Sequence, residues 1–309
     1  MIQVKKPGFF STIQDAGRVG FQQYGVIVSG VMDEVAYRIG NALLKQENAA
    51  AIEMTLVGGT FEFTKPTTIT LTGGKMNAKL NGNNNIAMNK AIPIQAGDVL
   101  ACGAIRNGVR SYLCIKGGID VPVVMGSRST YLKAGIGGYK GRALKAGDEL
   151  PYIESKPFIQ ASQVNCTAFY KDGPIRMLKG TEWDRFNNDI QKAFLENSFD
   201  ISLEADRMGY RIIPKESITI DEPIQLISEA VTFGTIQMPP NGEPIILMAD
   251  RQTTGGYPKI GQVIAADLHR LAQLGPKQEI EFQVVSIEEA EHLYEKFEKG
   301  LRSLELILK

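Results

Sequence analysis

The sequence predicts a mainly β protein with a few helices, built as barrels or sandwiches. Three observations carry that reading. Glycine (32 residues) and proline (14) punctuate many short runs rich in Val, Ile, Thr, Phe and Tyr. Runs such as Thr68-Ile69-Thr70-Leu71-Thr72 alternate with period two, as half-buried strands do. Turn marks also recur just ahead of strands. They are Ala96-Gly97-Asp98 before Val99-Leu100, Ala146-Gly147-Asp148 before Leu150, and Leu274-Gly275-Pro276 before Ile280-Glu281-Phe282. That punctuation suits antiparallel hairpins and barrel corners, not an alternating βαβ sheet.

Taken in order, the elements begin with a helix from Met32 to Leu44. Its stripe of Met32, Val35, Ala36, Ile39 and Leu43 has a 3.6-residue period. After the Thr68–Thr72 strand comes Arg110-Ser111-Tyr112-Leu113-Cys114-Ile115-Lys116, a second strand closed by Gly117-Gly118. Thr181 is placed to cap a helix whose apolar stripe is Trp183, Phe186, Ile190 and Phe194. A third helix is expected from about Gln262 to Leu274, stopped by Gly275-Pro276. The last is the best marked: Ser286-x-x-Glu289 forms a capping box, and Gly300 reads as its C-terminal stop.

A chain of 309 residues exceeds what one core usually supports, so two domains are expected, 1–155 and 156–309. The boundary is read around Pro151 to Cys166, and barrels often exchange edge strands, so the division in space need not follow it. The 34 basic and 34 acidic side chains cancel. A neutral chain lacks the footprint of a nucleic-acid or anionic-membrane binder, and no apolar run approaches the roughly 18 residues of a span. The N-terminus shows no apolar core of a signal peptide. The three cysteines, Cys102, Cys114 and Cys166, form no C-x-x-C pair. Buried reduced thiols in a cytoplasmic protein are therefore expected. His269 and His292 are read as solvated surface residues, and no metal site or common nucleotide-binding motif is legible.

What remains is a series of glycine-rich polar clusters. They are Thr12-Ile13-Gln14-Asp15-Ala16-Gly17-Arg18, Ser29-Gly30-Val31-Met32-Asp33, Gly126-Ser127-Arg128-Ser129-Thr130, Asp206-Arg207-Met208-Gly209-Tyr210-Arg211, Gly234-Thr235-Ile236-Gln237, and Asp250-Arg251-Gln252-Thr253-Thr254-Gly255-Gly256-Tyr257-Pro258. Glycines let successive N–H groups converge on an anion, while hydroxyls and guanidinium groups grip carboxylate or carbonyl oxygens. The same residues also serve as Asp–Arg braces and Asx turns at barrel corners, and each cluster taken alone favours that bracing role.

In this order, the clusters resemble the family of the C component of bacterial ATP-dependent 5-oxoprolinase, also described as KipA or allophanate hydrolase subunit 2. The resemblance runs from about Gly8 to Phe282. Lys45-Gln46 and Gly180-Thr181 depart from the family's usual Gly-Asn and Gly-Pro, both at loop edges. The resemblance implies two cyclophilin-like β-barrel domains and a chain that works only with two partners, a KipI-type B component and an A component of the same enzyme. It implies ring opening of 5-oxo-L-proline to L-glutamate, with ATP (and Mg) consumed at the level of the complex. A related branch resembles the carboxyltransferase part of urea carboxylase. Lys75-Met76 lacks the Ala-Met-Lys-Met setting of a biotin carrier, so this chain would only receive a carboxyl group from another protein. The resemblance also implies a third, regulatory reading, in which the chain binds a KipI-type inhibitor of a histidine kinase.

The chemistry expected of the residues assigns Asp33, Arg128 and Asp250 to catalysis. Ser127, Ser129, Thr130, Gln237, Thr253, Thr254, Gly255, Gly256 and Tyr257 are assigned to a small-molecule substrate. Asp15, Arg18, Asp206, Arg207 and Arg211 are expected to brace.

Overall fold

The computed structural model describes residues 1–158, 163–220, 222 and 224–308. Their regular elements are mostly strands, with four α-helices among them: α1 (Glu34–Leu43), α2 (Asn188–Glu196), α3 (Leu268–Ala272) and α4 (Ile287–Leu308). The chain forms two compact units. The first comprises Met1–Val19, Ser29–Phe169 and Gly300–Lys309; the second comprises Gly20–Val28 and Tyr170–Lys299.

The first unit is an antiparallel ten-stranded sheet curled into a half-barrel. Its spine is the 17-residue strand Val99–Ile115. The first part of that strand pairs with Val57–Phe63, and its second part with Ala51–Thr55 and Thr67–Met76. Gly103 and Gly108, both at positive φ, let it turn from one layer to the next. Ile13, Ile52, Met54, Phe61, Phe63, Ile69, Leu71, Leu100 and Leu113 fill the interior.

Both faces of Thr67–Met76 are buried, where its alternation had suggested one wet face. The reason is α1, which lies against the threonine side. Thr72 Oγ1 donates to the Ala36 carbonyl at 2.7 Å. A Cβ on Gly40 would stand 2.5 Å from Cys114 Sγ, so glycine is what allows the helix so close to the sheet.

The second unit is an eight-stranded sheet running in space from Glu279–Ile280 to Phe282–Val284. These two edge strands are consecutive in sequence, separated by Glu281 alone, which makes a nearly closed barrel. Ile175–Lys179 and Phe282–Val284 form its parallel pair. Phe194, Phe199 and Phe282 meet at centroid distances of 5.1 to 5.6 Å at one end of its core.

Four local expectations need correction. Trp183 and Phe186 are core residues but precede the helix, because Phe186 is extended and Asn187, not Thr181, caps α2 through Ile190 N. Residues 259–263 form a strand between Thr235–Gln237 and Ile175–Lys179, so α3 is short; ladder pairing overrides the helical stripe. Ser286 caps α4 as expected, yet the helix runs through Gly300, held by the fully buried Leu301. His269 is only 3% exposed, stacked on Phe297 at 5.1 Å with Tyr170 edge-on at 5.4 Å.

Candidate functional site

In the first unit, the loop clusters converge on the Asp15 carboxylate. Its Oδ1 accepts from Gly17 N (2.9 Å) and from the Ser127 and Ser129 hydroxyls (2.6 Å each), and its Oδ2 from Arg128 N (2.5 Å). Thr130 donates its hydroxyl to the Ile13 carbonyl. Arg18, fully buried, donates to the Val124 and Ser129 carbonyls at 3.1 and 2.8 Å. The hydroxyls of Ser127, Ser129 and Thr130 are thus turned inward. The guanidinium of Arg128 reaches solvent. It donates through Nε to the Val121 carbonyl at 3.0 Å, and Asp120 lies 3.9 Å away as its ion-pair partner.

Asp33 is fully buried and caps α1, accepting from Ala36 N at 3.0 Å. Its own N–H donates to the Tyr112 hydroxyl (2.8 Å), which in turn donates to Glu53 Oε2 (2.7 Å). Met32 N donates to the same Glu53 oxygen at 2.9 Å. Burial, reinforced by the Glu53 and Asp33 charges, pushes the Tyr112 phenol far above its ordinary range. Sequence reasoning missed Glu53 and Tyr112. The available signal was a lone acid inside the apolar strand Ala51-Ile52-Glu53-Met54. Among the described residues, no group of three or more His, Cys, Asp or Glu side chains could hold a metal ion. Burial also raises the thiols, Cys102 and Cys114 to about 12 and Cys166 to about 11, leaving them unreactive.

The second unit carries an open cavity of about 300 Å³. Its polar wall includes Arg211, Gln237, Gln252, Gly255, Gly256 and Tyr257, and Met208, Ile245 and Leu247 form an apolar side. The neighbouring strands Gly209–Pro214, Ile245–Leu247 and Thr235–Gln237 line it from one sheet, and the glycine loop after Thr254 lines it as well. A Cβ on Gly255 would stand 2.4 Å from Gln237 Nε2, so a side chain there would displace the end of Gln237. Gln237 donates to the Tyr257 carbonyl at 3.4 Å, and Arg211 lies 3.4 Å from Glu243. Asp206 accepts from Met208 N and Gly209 N in an Asx turn at the rim.

Of the residues singled out from sequence, Gln237, Gly255, Gly256 and Tyr257 therefore share this cavity. Thr253 gives its carbonyl to Val231 N, and Thr254 pairs with Ala230 on an exposed ladder. Asp250, 5% exposed, holds Arg207 through two bonds of 2.9 Å. Arg211, expected to brace, pairs with Glu243 and also lines the cavity.

Comparison with known proteins places this architecture. The family described as carboxyltransferase domain, subdomain A and B, matches residues 24–284. The chain is 41% identical to the C component of 5-oxoprolinase from Escherichia coli (strain K12), covering 94% of this chain and 93% of that one. The chain belongs to the carboxyltransferase-domain family that includes the 5-oxoprolinase C component. Another member of this C-component family, from Haemophilus influenzae, is 38% identical over 96% of each chain. A crystal structure of Kluyveromyces lactis urea amidolyase superposes with a TM-score of 0.85 at 28% identity over 98% of this chain. This chain spans only 20% of that one. The Kluyveromyces lactis urea carboxylase gives a TM-score of 0.86, with 29% of that chain covered. The C-component family thus shares the fold of one segment of those larger enzymes. Among the described residues, no helix is long and apolar enough to cross a membrane.

Proposed function

We propose that this chain is the C component of a 5-oxoprolinase and works with partner subunits in the cytoplasm. The assembled enzyme opens 5-oxo-L-proline to L-glutamate and converts ATP, with Mg, to ADP and phosphate. The observation that carries the reading is near-full-length identity of 41% and 38% to two chains named as the C component of 5-oxoprolinase. Urea amidolyase relatives, such as that of Lachancea kluyveri at 32%, match as well but extend far beyond this chain, which spans 18% of their length.

A lactam carbonyl is a poor electrophile. Phosphorylation of its oxygen by ATP makes that carbon open to water, and the ring C–N bond breaks to free the amine. A second water cleaves the resulting acyl phosphate to glutamate and phosphate. Such chemistry needs donors for the developing oxyanion and for the substrate carboxylate. In this reading the small cavity of the second unit receives the lactam, with Gln237, Tyr257 and the glycine N–H groups along its wall. In the first unit, Arg128 presents its solvent-reaching guanidinium to an anionic group. The KipI-type B component and the A component complete the enzyme.

The test is reconstitution. The chain mixed with its A and B partners should release glutamate and ADP from 5-oxoproline, and the chain alone should release neither. Turnover that demands a biotinylated carrier and bicarbonate would replace this reading with carboxyl transfer, the alternative that the family description supports. A complex that titrates a kinase inhibitor without turnover would replace it with a regulatory role.

A further inference from the structure

We propose that the guanidinium of Arg251 is the anchor of an anion site in the second unit, built to take the carboxylate of a small organic acid. The identity of that acid, 5-oxoproline or its product glutamate, rests on the C-component reading above.

Arg251 is 7% exposed. A buried guanidinium ordinarily lies against a carboxylate, with its five N–H groups satisfied. Arg251 does not. The adjacent Asp250 has committed both oxygens to Arg207, at 2.9 Å each. Arg251 itself reaches only the Val231 carbonyl through Nε and the Met248 carbonyl through Nη1, both at 3.5 Å, the outer limit of a hydrogen bond. Its Nη2 has no protein partner among the described residues, and it is not sealed from solvent. Burial pushes the Arg251 pKa down, and the Asp250 charge opposes this only in part.

Arg251 therefore carries a positive charge in the interior while the anion beside it in sequence is bonded elsewhere. Methionine would fill the same space without the desolvation cost, so the charge is a liability unless something negative arrives. A single carboxylate balances it; a phosphate dianion would overshoot. Arg251 does not itself line the cavity but stands next to residues that do. Gln252, the next residue, lines it, as does Gly255, whose Cβ position is 3.4 Å from the side chain of Val231. Val231 is the residue whose carbonyl Arg251 touches.

The experiment uses the full chain, with thermal unfolding and calorimetric titration. The probes are 5-oxoproline, glutamate, acetate, phosphate and the neutral lactam 2-pyrrolidinone. The two variants are Arg251→Met and Arg251→Lys. Carboxylates should raise the melting temperature saturably, and 2-pyrrolidinone should not. Arg251→Met should weaken carboxylate binding by roughly tenfold to a hundredfold, while its ligand-free melting temperature equals or exceeds that of the wild type. Arg251→Lys, which keeps the charge and loses the fork, should retain weaker binding.

Loss of folding or of several degrees in Arg251→Met, or undiminished binding in either variant, would overturn the inference and make Arg251 a brace. Preference for phosphate would overturn the carboxylate class. Arg251-dependent binding of acetate or glutamate without 5-oxoproline would uphold the site and remove the 5-oxoprolinase substrate from it.

Discussion

Replacing Asp250 with asparagine tests the charge arrangement of the second unit most sharply. Asp250 is a buried anion with Arg207 bonded to it at 2.9 Å and the buried Arg251 beside it in sequence. Removing one partner of a buried pair costs about 3–5 kcal/mol. Asp250→Asn takes the negative charge away from both guanidinium groups at once, which puts its cost at the top of that range or above. Arg207→Met leaves Asp250 next to Arg251, which can take over as its counter-ion, so its cost falls at or below the lower end. With roughly 2–4 °C per kcal/mol for a unit of this size, the Asp250 variant should melt about 10–20 °C below wild type. The Arg207 variant should lose about half as much. Trp183, the one tryptophan in the sequence, is buried in the same unit and reports its unfolding by fluorescence. If Asp250→Asn melts no lower than Arg207→Met, the shared-anion account is wrong.

Three further outcomes follow from the geometry. Asp267 is fully buried. Burial alone would raise its pKa, but hydrogen bonds from Arg176 and the charges of Arg270 and Arg176 outweigh it and hold the carboxyl below its ordinary range. The stability this contributes is present above the unfolded value of about 4 and lost as pH falls through the lower folded value. Asp267→Asn should therefore melt lower at pH 7 and show a flatter acid limb in a pH series. Gly137→Ala should cost more than Gly147→Ala in urea unfolding. Both sit at positive φ, about 1–2 kcal/mol for any side chain, but only at Gly137 would the new Cβ also meet the Ser129 carbonyl and stand 2.7 Å from Arg18 Nη2. Arg128→Ala should leave the melting temperature within a degree or two, because the guanidinium makes one hydrogen bond and one long ion pair. It should nevertheless abolish turnover of the reconstituted complex; unchanged turnover would remove Arg128 from the chemistry.

The β-rich character, α1 and the cap of α4 were legible because each depends on residues close in sequence. Asp33 caps Ala36, and Ser286 caps Glu289. The expectations that failed were those in which distant packing outweighed a local pattern. Gly300 has the look of a stop, but Leu301 finds a buried seat and the helix continues. His269 sits beside an arginine and reads as wet, until Tyr170 and Phe297 close around it. For the candidate site, the motif residues were visible but their partners were not. Nothing local announces that Asp15 collects hydroxyls from more than a hundred positions away, or that Glu53 reaches the start of α1 through Tyr112. Arg211 pairs with Glu243 as a brace would, but only strand register shows that it also lines the cavity.

The salt bridge between Arg38 and Glu305, with two bonds of 2.8 and 2.9 Å, ties α1 to the end of α4 within one compact unit. During translation, Ile2–Lys6 and α1 leave the ribosome long before Glu305 is made. The half-barrel that begins first must wait, unclasped at that corner, while Tyr170–Lys299 of the other unit are synthesised. Severing the polypeptide midway would therefore not release two self-sufficient pieces, and a ribosome stalled shortly before residue 300 should display an early unit still vulnerable to protease.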